Sequence, residues 1–119
     1  MKKILAIFVL MMIGIPSYAY MGRSFDTPVG ACVNHILVPS EIQALKIKSE
    51  IQNYDDFQQF AKMYSECPSG RNGGSLGCFG RGQMVKQFEE AAFKGNLGEV
   101  TGPVKTEFGY HLLWITRRY

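Results

Sequence analysis

Two kinds of hydrophobic spacing alternate along this chain. From Ala31 to Val38 the residues are mostly apolar and β-branched, with Asn34 and His35 inside the run and Pro39 closing it, which predicts a buried strand. Period two places His35 on one face with Val33 and Leu37, and Asn34 on the other with Ile36. Ser40 followed by Gln43 predicts a capping box and a helix from about Glu41 to Gln52 that buries Leu45, Ile47 and Ile51. Asp55 is the expected cap of a second helix, in which Phe57, Phe60, Ala61 and Tyr64 recur at helical spacing. A third helix is expected from Met84 to Lys94, with Phe88, Ala91 and Ala92 inward and Gly95 as its stop. Asn96-Leu97-Gly98 then reads as a turn. Val100 to Lys105 and Tyr110 to Thr116 read as two strands of an antiparallel hairpin, the second with Tyr110, Leu112 and Trp114 on one face and His111, Leu113 and Ile115 on the other.

Between the second and third helices lies a glycine-loaded stretch, Cys67 to Phe88, with room for one short strand. It contains neither the GxGxxG nor the GxxxxGK[ST] pattern, so close turns around a strand account for it better than phosphate binding does. The order is strand, helix, helix, short strand, helix, strand, strand: an α+β domain on an antiparallel sheet.

The first 19 residues change the picture of where the protein works. Lys2-Lys3, the apolar run Ile4–Ile15 and the small residues Ser17 and Ala19 have the layout of a secretory signal peptide, with cleavage expected after Ala19. The run is shorter than the ~20 residues of a spanning helix. Residues 20–30 read as a linker and 31–117 as the functional domain, exported to the periplasm or the extracellular space and without stable membrane insertion once the leader is removed. Val29-Gly30-Ala31-Cys32 loosely resembles a lipoprotein processing box, but it lies far beyond the apolar run, and a half-buried strand cysteine is the better reading.

The chain has 119 residues, enough for one domain. Its formal charge of +3 includes Lys2 and Lys3, so without them it is +1, which offers no electrostatic footprint for nucleic acid. Cys32, Cys67 and Cys78 are an odd number with no CxxC spacing, so neither a zinc site nor a disulfide framework is expected. In an oxidising compartment, pairing of Cys67 with Cys32 or Cys78 would obstruct a pocket built around Cys67.

Both histidines fall in apolar strands, where each ring needs a hydrogen-bond partner, and each is able to partner the other. With Cys67 they would form a polar cluster in an apolar site, as ligand pockets do.

Several blocks then line up in one order: His35-Ile36-Leu37-Val38, Cys67-Pro68-Ser69-Gly70, Gly73-Gly74-Ser75-Leu76-Gly77, Phe79-Gly80-Arg81-Gly82-Gln83-Met84-Val85, Phe88-Glu89, Ala91-Ala92-Phe93, Gly102-Pro103-Val104-Lys105-Thr106 and Phe108-Gly109-Tyr110-His111. Together they resemble the parvulin-type peptidyl-prolyl cis/trans isomerases over residues 31–117. The resemblance implies a four-stranded antiparallel sheet surrounded by helices, a monomer, no cofactor or metal, and proline-containing polypeptides as substrates. It implies that His35 and His111 are paired central histidines, that Cys67 lies beside the reacting amide, and that Thr106 belongs to their hydrogen-bond network. Leu76, Met84 and Phe88 correspond to the cup for the proline ring, Gln83 to rim polarity, and Phe108 to a neighbour of the site. Ser75 stands where an acidic residue is usual, Cys78 where a larger side chain is common, and Lys86-Gln87 lacks a common proline. Phospho-selective members carry basic residues soon after the first strand; here Pro39-Ser40-Glu41 follows, so a non-phospho preference with apolar residues before proline is expected. The rival readings are a non-catalytic proline-binding chaperone of the cell envelope and a cysteine hydrolase using Cys67 with one of the histidines.

Overall fold

A computed structural model describes residues 27–119. The expected signal peptide and most of the expected linker fall outside the described residues. Strand β1 (Gly30–Val38) leads to helices α1 (Glu41–Glu50) and α2 (Tyr54–Tyr64), then to a 3₁₀ turn (Pro68–Asn72), β2 (Ser75–Gly80), α3 (Lys86–Lys94), β3 (Val100–Thr106) and β4 (Gly109–Arg118). The strands form one sheet in the order β2-β1-β4-β3, with every neighbouring pair antiparallel. The expected element order and fold class are present.

Strand alternation divides the core in two. Ala31, Val33, Leu113 and Ile115 face α3, where they bury Phe88, Ala92 and Phe93 together with Phe79 of β2. Ile36, Val38, Leu112 and Trp114 face the other way, onto Ala44 and Ile47 of α1 and Phe57 and Ala61 of α2. Asn34 is buried on this second face, where it donates to the Gly73 carbonyl at 2.9 Å and accepts from the Tyr54 hydroxyl at 3.0 Å.

Several local expectations are corrected. Helix α1 stops at Glu50, two residues early, and Leu45 is 49% exposed, because Ala44 and Ile47 already fill the stripe that meets the sheet. Ile51 is only half-buried. The cap of α2 is Asn53, whose side chain accepts the Asp56 N–H at 2.8 Å; Asp55 lies in the first turn. Phe57 and Ala61 are fully buried, whereas Phe60 is half-buried and Tyr64 exposed, since they flank the stripe. Helix α3 begins at Lys86, which leaves Met84 and Val85 in the preceding loop. Ser40 does cap α1 by accepting the Gln43 N–H.

The cysteine expectation is also overturned. Cys32 and Cys78 are register partners on β1 and β2 and form a disulfide, while Cys67 is free. The pairing follows from strand register, which places Gly30 opposite Gly80 and so brings the two cysteines level. Cys32 is the half-buried strand residue expected for it. The bond closes a separation of 46 residues. Replacing both cysteines by serine is expected to cost about 2–4 kcal/mol by freeing the unfolded chain. Urea denaturation with and without the pair measures this, and coincident midpoints would refute it.

One glycine of the run has an identifiable task. Gly74 sits at φ 86°, and a Cβ there would collide with the His35 carbonyl oxygen. Its own carbonyl accepts the His35 N–H at 2.8 Å. The glycine turn therefore presses directly on the backbone that carries the first histidine.

Candidate active site

The site is assembled by register. Across β1 and β4, His35 lies opposite Leu113 and His111 opposite Leu37, so the histidines are diagonal neighbours on the α3 face. Their rings stack at an interplanar angle of 16°, with the two Nδ1 atoms 3.1 Å apart. Phe88 of α3 meets both rings edge-on, with centroids 5.6 Å from His35 and 5.3 Å from His111.

The outer nitrogens are engaged as well. His35 Nε2 lies 3.0 Å from the Ser69 hydroxyl, and His111 Nε2 lies 2.8 Å from the Thr106 hydroxyl. Thr106 Oγ1 in turn accepts the Phe108 N–H at 3.2 Å. One proton between the two Nδ1 atoms suffices for this chain: if Thr106 donates to His111, then His111 donates to His35 and His35 to Ser69. The reverse direction is equally self-consistent, and both leave the two rings neutral. One extra proton would bury a charge, and protonating both rings would place like charges in contact inside the core. Accordingly, burial pushes His35 down to about 4, with the neighbouring His111 adding to the shift, and burial also lowers His111.

Above this floor opens a cavity of about 350 Å³. Its walls are almost entirely apolar: Leu76 from β2, Met84 and Val85 from the following loop, Phe88 from α3, Leu37 from β1 and Phe108 at the mouth. Phe108 is 63% exposed on the β3–β4 turn. The opposite rim is Glu66-Cys67-Pro68, between α2 and the 3₁₀ turn.

The structure thus gathers His35, Cys67, Leu76, Met84, Phe88, Phe108 and His111 around one cavity, with Thr106 bonded behind His111. Gln83 is not among the lining residues; it is exposed, and its side-chain oxygen accepts the Gly80 N–H at 3.0 Å. Sequence reasoning gave no role to Ser69, Val85, Leu37 or Glu66. Ser69 and Val85 stood inside recognised blocks, next to residues that were assigned, and that adjacency was the available signal. Because all four ring nitrogens already have partners, neither histidine is free to serve Cys67 as a base, which weighs against the cysteine-hydrolase reading. Among the described residues, no cluster of three or more metal-binding side chains occurs.

Comparison with known proteins agrees with this arrangement. A family model for the PPIC-type PPIase domain, or rotamase, matches residues 38–117. The foldase protein PrsA of Geobacillus kaustophilus is 51% identical over 84 residues, which is 70% of this chain and 30% of the relative. The crystal structure of PrsA from Bacillus cereus superposes with a TM-score of 0.71 at 40% identity, covering 81% of this chain and 38% of that one. Pin from the archaeon Cenarcheaum symbiosum gives a TM-score of 0.66 at 41% identity, covering 76% of this chain and 93% of that one. The chain therefore spans about 30% of the length of the curated foldase relatives it matches, and covers 93% of the Pin chain. With the family model covering more than half of its length, the chain belongs to the PPIC-type, or parvulin, peptidyl-prolyl isomerase family.

Proposed function

We propose that residues 31–117 form a peptidyl-prolyl cis/trans isomerase domain that acts on X-Pro bonds of exported, unfolded or partly folded polypeptides. The observation that carries this reading is an apolar cup, walled by Leu76, Met84 and Phe88, that opens onto a neutral histidine pair. The leader at residues 1–19 and the linker at 20–30 are the basis for export to the periplasm or beyond, and the domain acts as a monomer.

Rotation about a peptide bond meets a barrier of ~18–20 kcal/mol from amide resonance, and X-Pro bonds interconvert over tens of seconds or longer. A catalyst needs only to bind the twisted amide better than either planar form. In water the planar amide's large dipole is solvated; a nearly dry apolar wall withdraws that solvation and favours the less polarised, twisted state. Leu76, Met84 and Phe88 hold the ring while the preceding carbonyl swings past Cys67. His35 and His111, fixed by Ser69 and Thr106, keep the floor rigid and uncharged. Neither a covalent intermediate nor a cofactor enters. After β1 the chain runs directly into Pro39-Ser40-Glu41, which favours a non-phospho preference.

The test is an NMR exchange assay on a proline tetrapeptide. Catalytic amounts of protein are expected to accelerate cis/trans exchange, and Cys67→Asp is expected to retain most of the rate while Cys67→Ser behaves similarly. Binding of unfolded chains with no rate enhancement would replace this reading by that of a chaperone. Loss of all turnover in both variants would restore a role for sulfur attack.

A further inference from the structure

The Glu66-Cys67-Pro68 rim separates two cavities. On its far side lies a groove of about 320 Å³, lined by the same three residues together with Lys62 of α2 and Arg71 of the 3₁₀ turn. Unlike the proline cup, its walls are mainly polar. The rim between them is pinned to the sheet and to the 3₁₀ turn: the Glu66 N–H donates to the Leu37 carbonyl of β1 at 2.8 Å, the neighbouring Ser65 Oγ accepts the Leu37 N–H at 3.1 Å, and the Cys67 carbonyl accepts the Gly70 N–H of the turn at 2.9 Å. Ser69, one residue beyond Pro68, is bonded to His35. Cup, rim and groove are therefore parts of one scaffold with a fixed spacing.

We infer that this groove is a second substrate site, which takes an acidic side chain two to four residues before the proline. The inference rests on the isomerase reading, in which Cys67 flanks the carbonyl side of the X-Pro bond; chain preceding the proline then crosses the rim and enters the groove. An extended chain advances ~3.3–3.6 Å per residue, so cavities sharing a three-residue wall lie within a few residues of peptide. The charges are ordered along this path. Glu66, on the shared rim, is the one acidic residue lining the cup and lines the groove as well, whereas Lys62 and Arg71 line the groove alone, which therefore carries two cations against one carboxylate. The same glutamate in a substrate is thus favoured in the groove and disfavoured at the rim.

Peptides carrying Glu, Ala or Lys directly before proline, three residues before it or two residues after it are compared at low ionic strength, by fluorescence titration and by exchange rate on the full chain. Exposed charge pairs are each weak and screened by salt. Glu at the third position is expected to tighten binding about three- to fivefold over Ala, and Glu beside the proline to weaken it. Lys62→Glu with Arg71→Glu is expected to transfer the third-position preference to Lys. Equal binding of Glu and Ala at that position overturns the inference, as does a gain only when Glu follows the proline. The charge order without any acceleration of exchange supports the groove and overturns the isomerase reading instead. Failure of every peptide to bind overturns both.

Discussion

Truncating Met84 and Phe88 together to alanine is expected to lower kcat/KM for proline peptides by roughly 60-fold. The estimate comes from the three ring methylenes of proline, each stabilised by about 0.8 kcal/mol when it leaves water for an apolar wall. Together these give about 2.4 kcal/mol, which is that factor in rate if the grip persists in the twisted state. Phe88 is only 3% exposed and also supports both histidine rings, so its loss carries a folding cost of about 3–5 kcal/mol. Met84→Ala alone avoids this difficulty, because Met84 is a half-buried loop residue that packs at the edge of the core. The single variant is expected to remain folded by circular dichroism and to lose about tenfold in exchange rate. Unchanged turnover in the folded Met84→Ala protein would remove the cup from the mechanism.

How far the site was legible depended on which interactions are local. Alternation along 31–38 and 110–116 placed His35 with Val33, and His111 with Leu113 and Ile115, on the correct faces, because side-chain period in a strand is a local property. Joining those faces into a pair required the β1–β4 register, and the resemblance supplied it. The Cys32–Cys78 bond depended on the β1–β2 register, for which no residue spacing gives a clue. Leu45 looked like core by helical periodicity, but the sheet offers α1 only a narrow contact, already filled by Ala44 and Ile47. Ser69 escaped for a different reason: a serine in a turn is normally explained by the turn itself, and only the approach of His35 Nε2 gives it another partner. Gln83 shows the converse, since its side chain turns back to the Gly80 N–H in its own loop.

Acidification is expected to weaken the fold through the same histidines. Above pH 6.5 His35 is neutral in both the folded and the unfolded chain, so it contributes no pH dependence there. Between pH 6.5 and about 4 the unfolded chain takes up a proton that the folded one refuses, and stability falls as the pH falls. Over that window the loss is about 3 kcal/mol at 1.36 kcal/mol per pH unit. His111 is displaced in the same direction and adds to it. Once His35 is forced to protonate, it can still donate to both His111 and Ser69, so the cost is that of a charge buried in the core and not of a lost hydrogen bond. Isomerisation is therefore expected to stay level from pH 8 to about 5.5 and to fail together with the fold below that. Carboxylates also titrate in this range, so the diagnostic comparison is His35→Gln, which keeps a polar side chain of similar reach but cannot be charged. Urea midpoints measured at pH 7, 6, 5 and 4 should decline more steeply for the wild type than for this variant. Parallel declines would assign acid sensitivity to the carboxylates and leave the buried pair without a part in it.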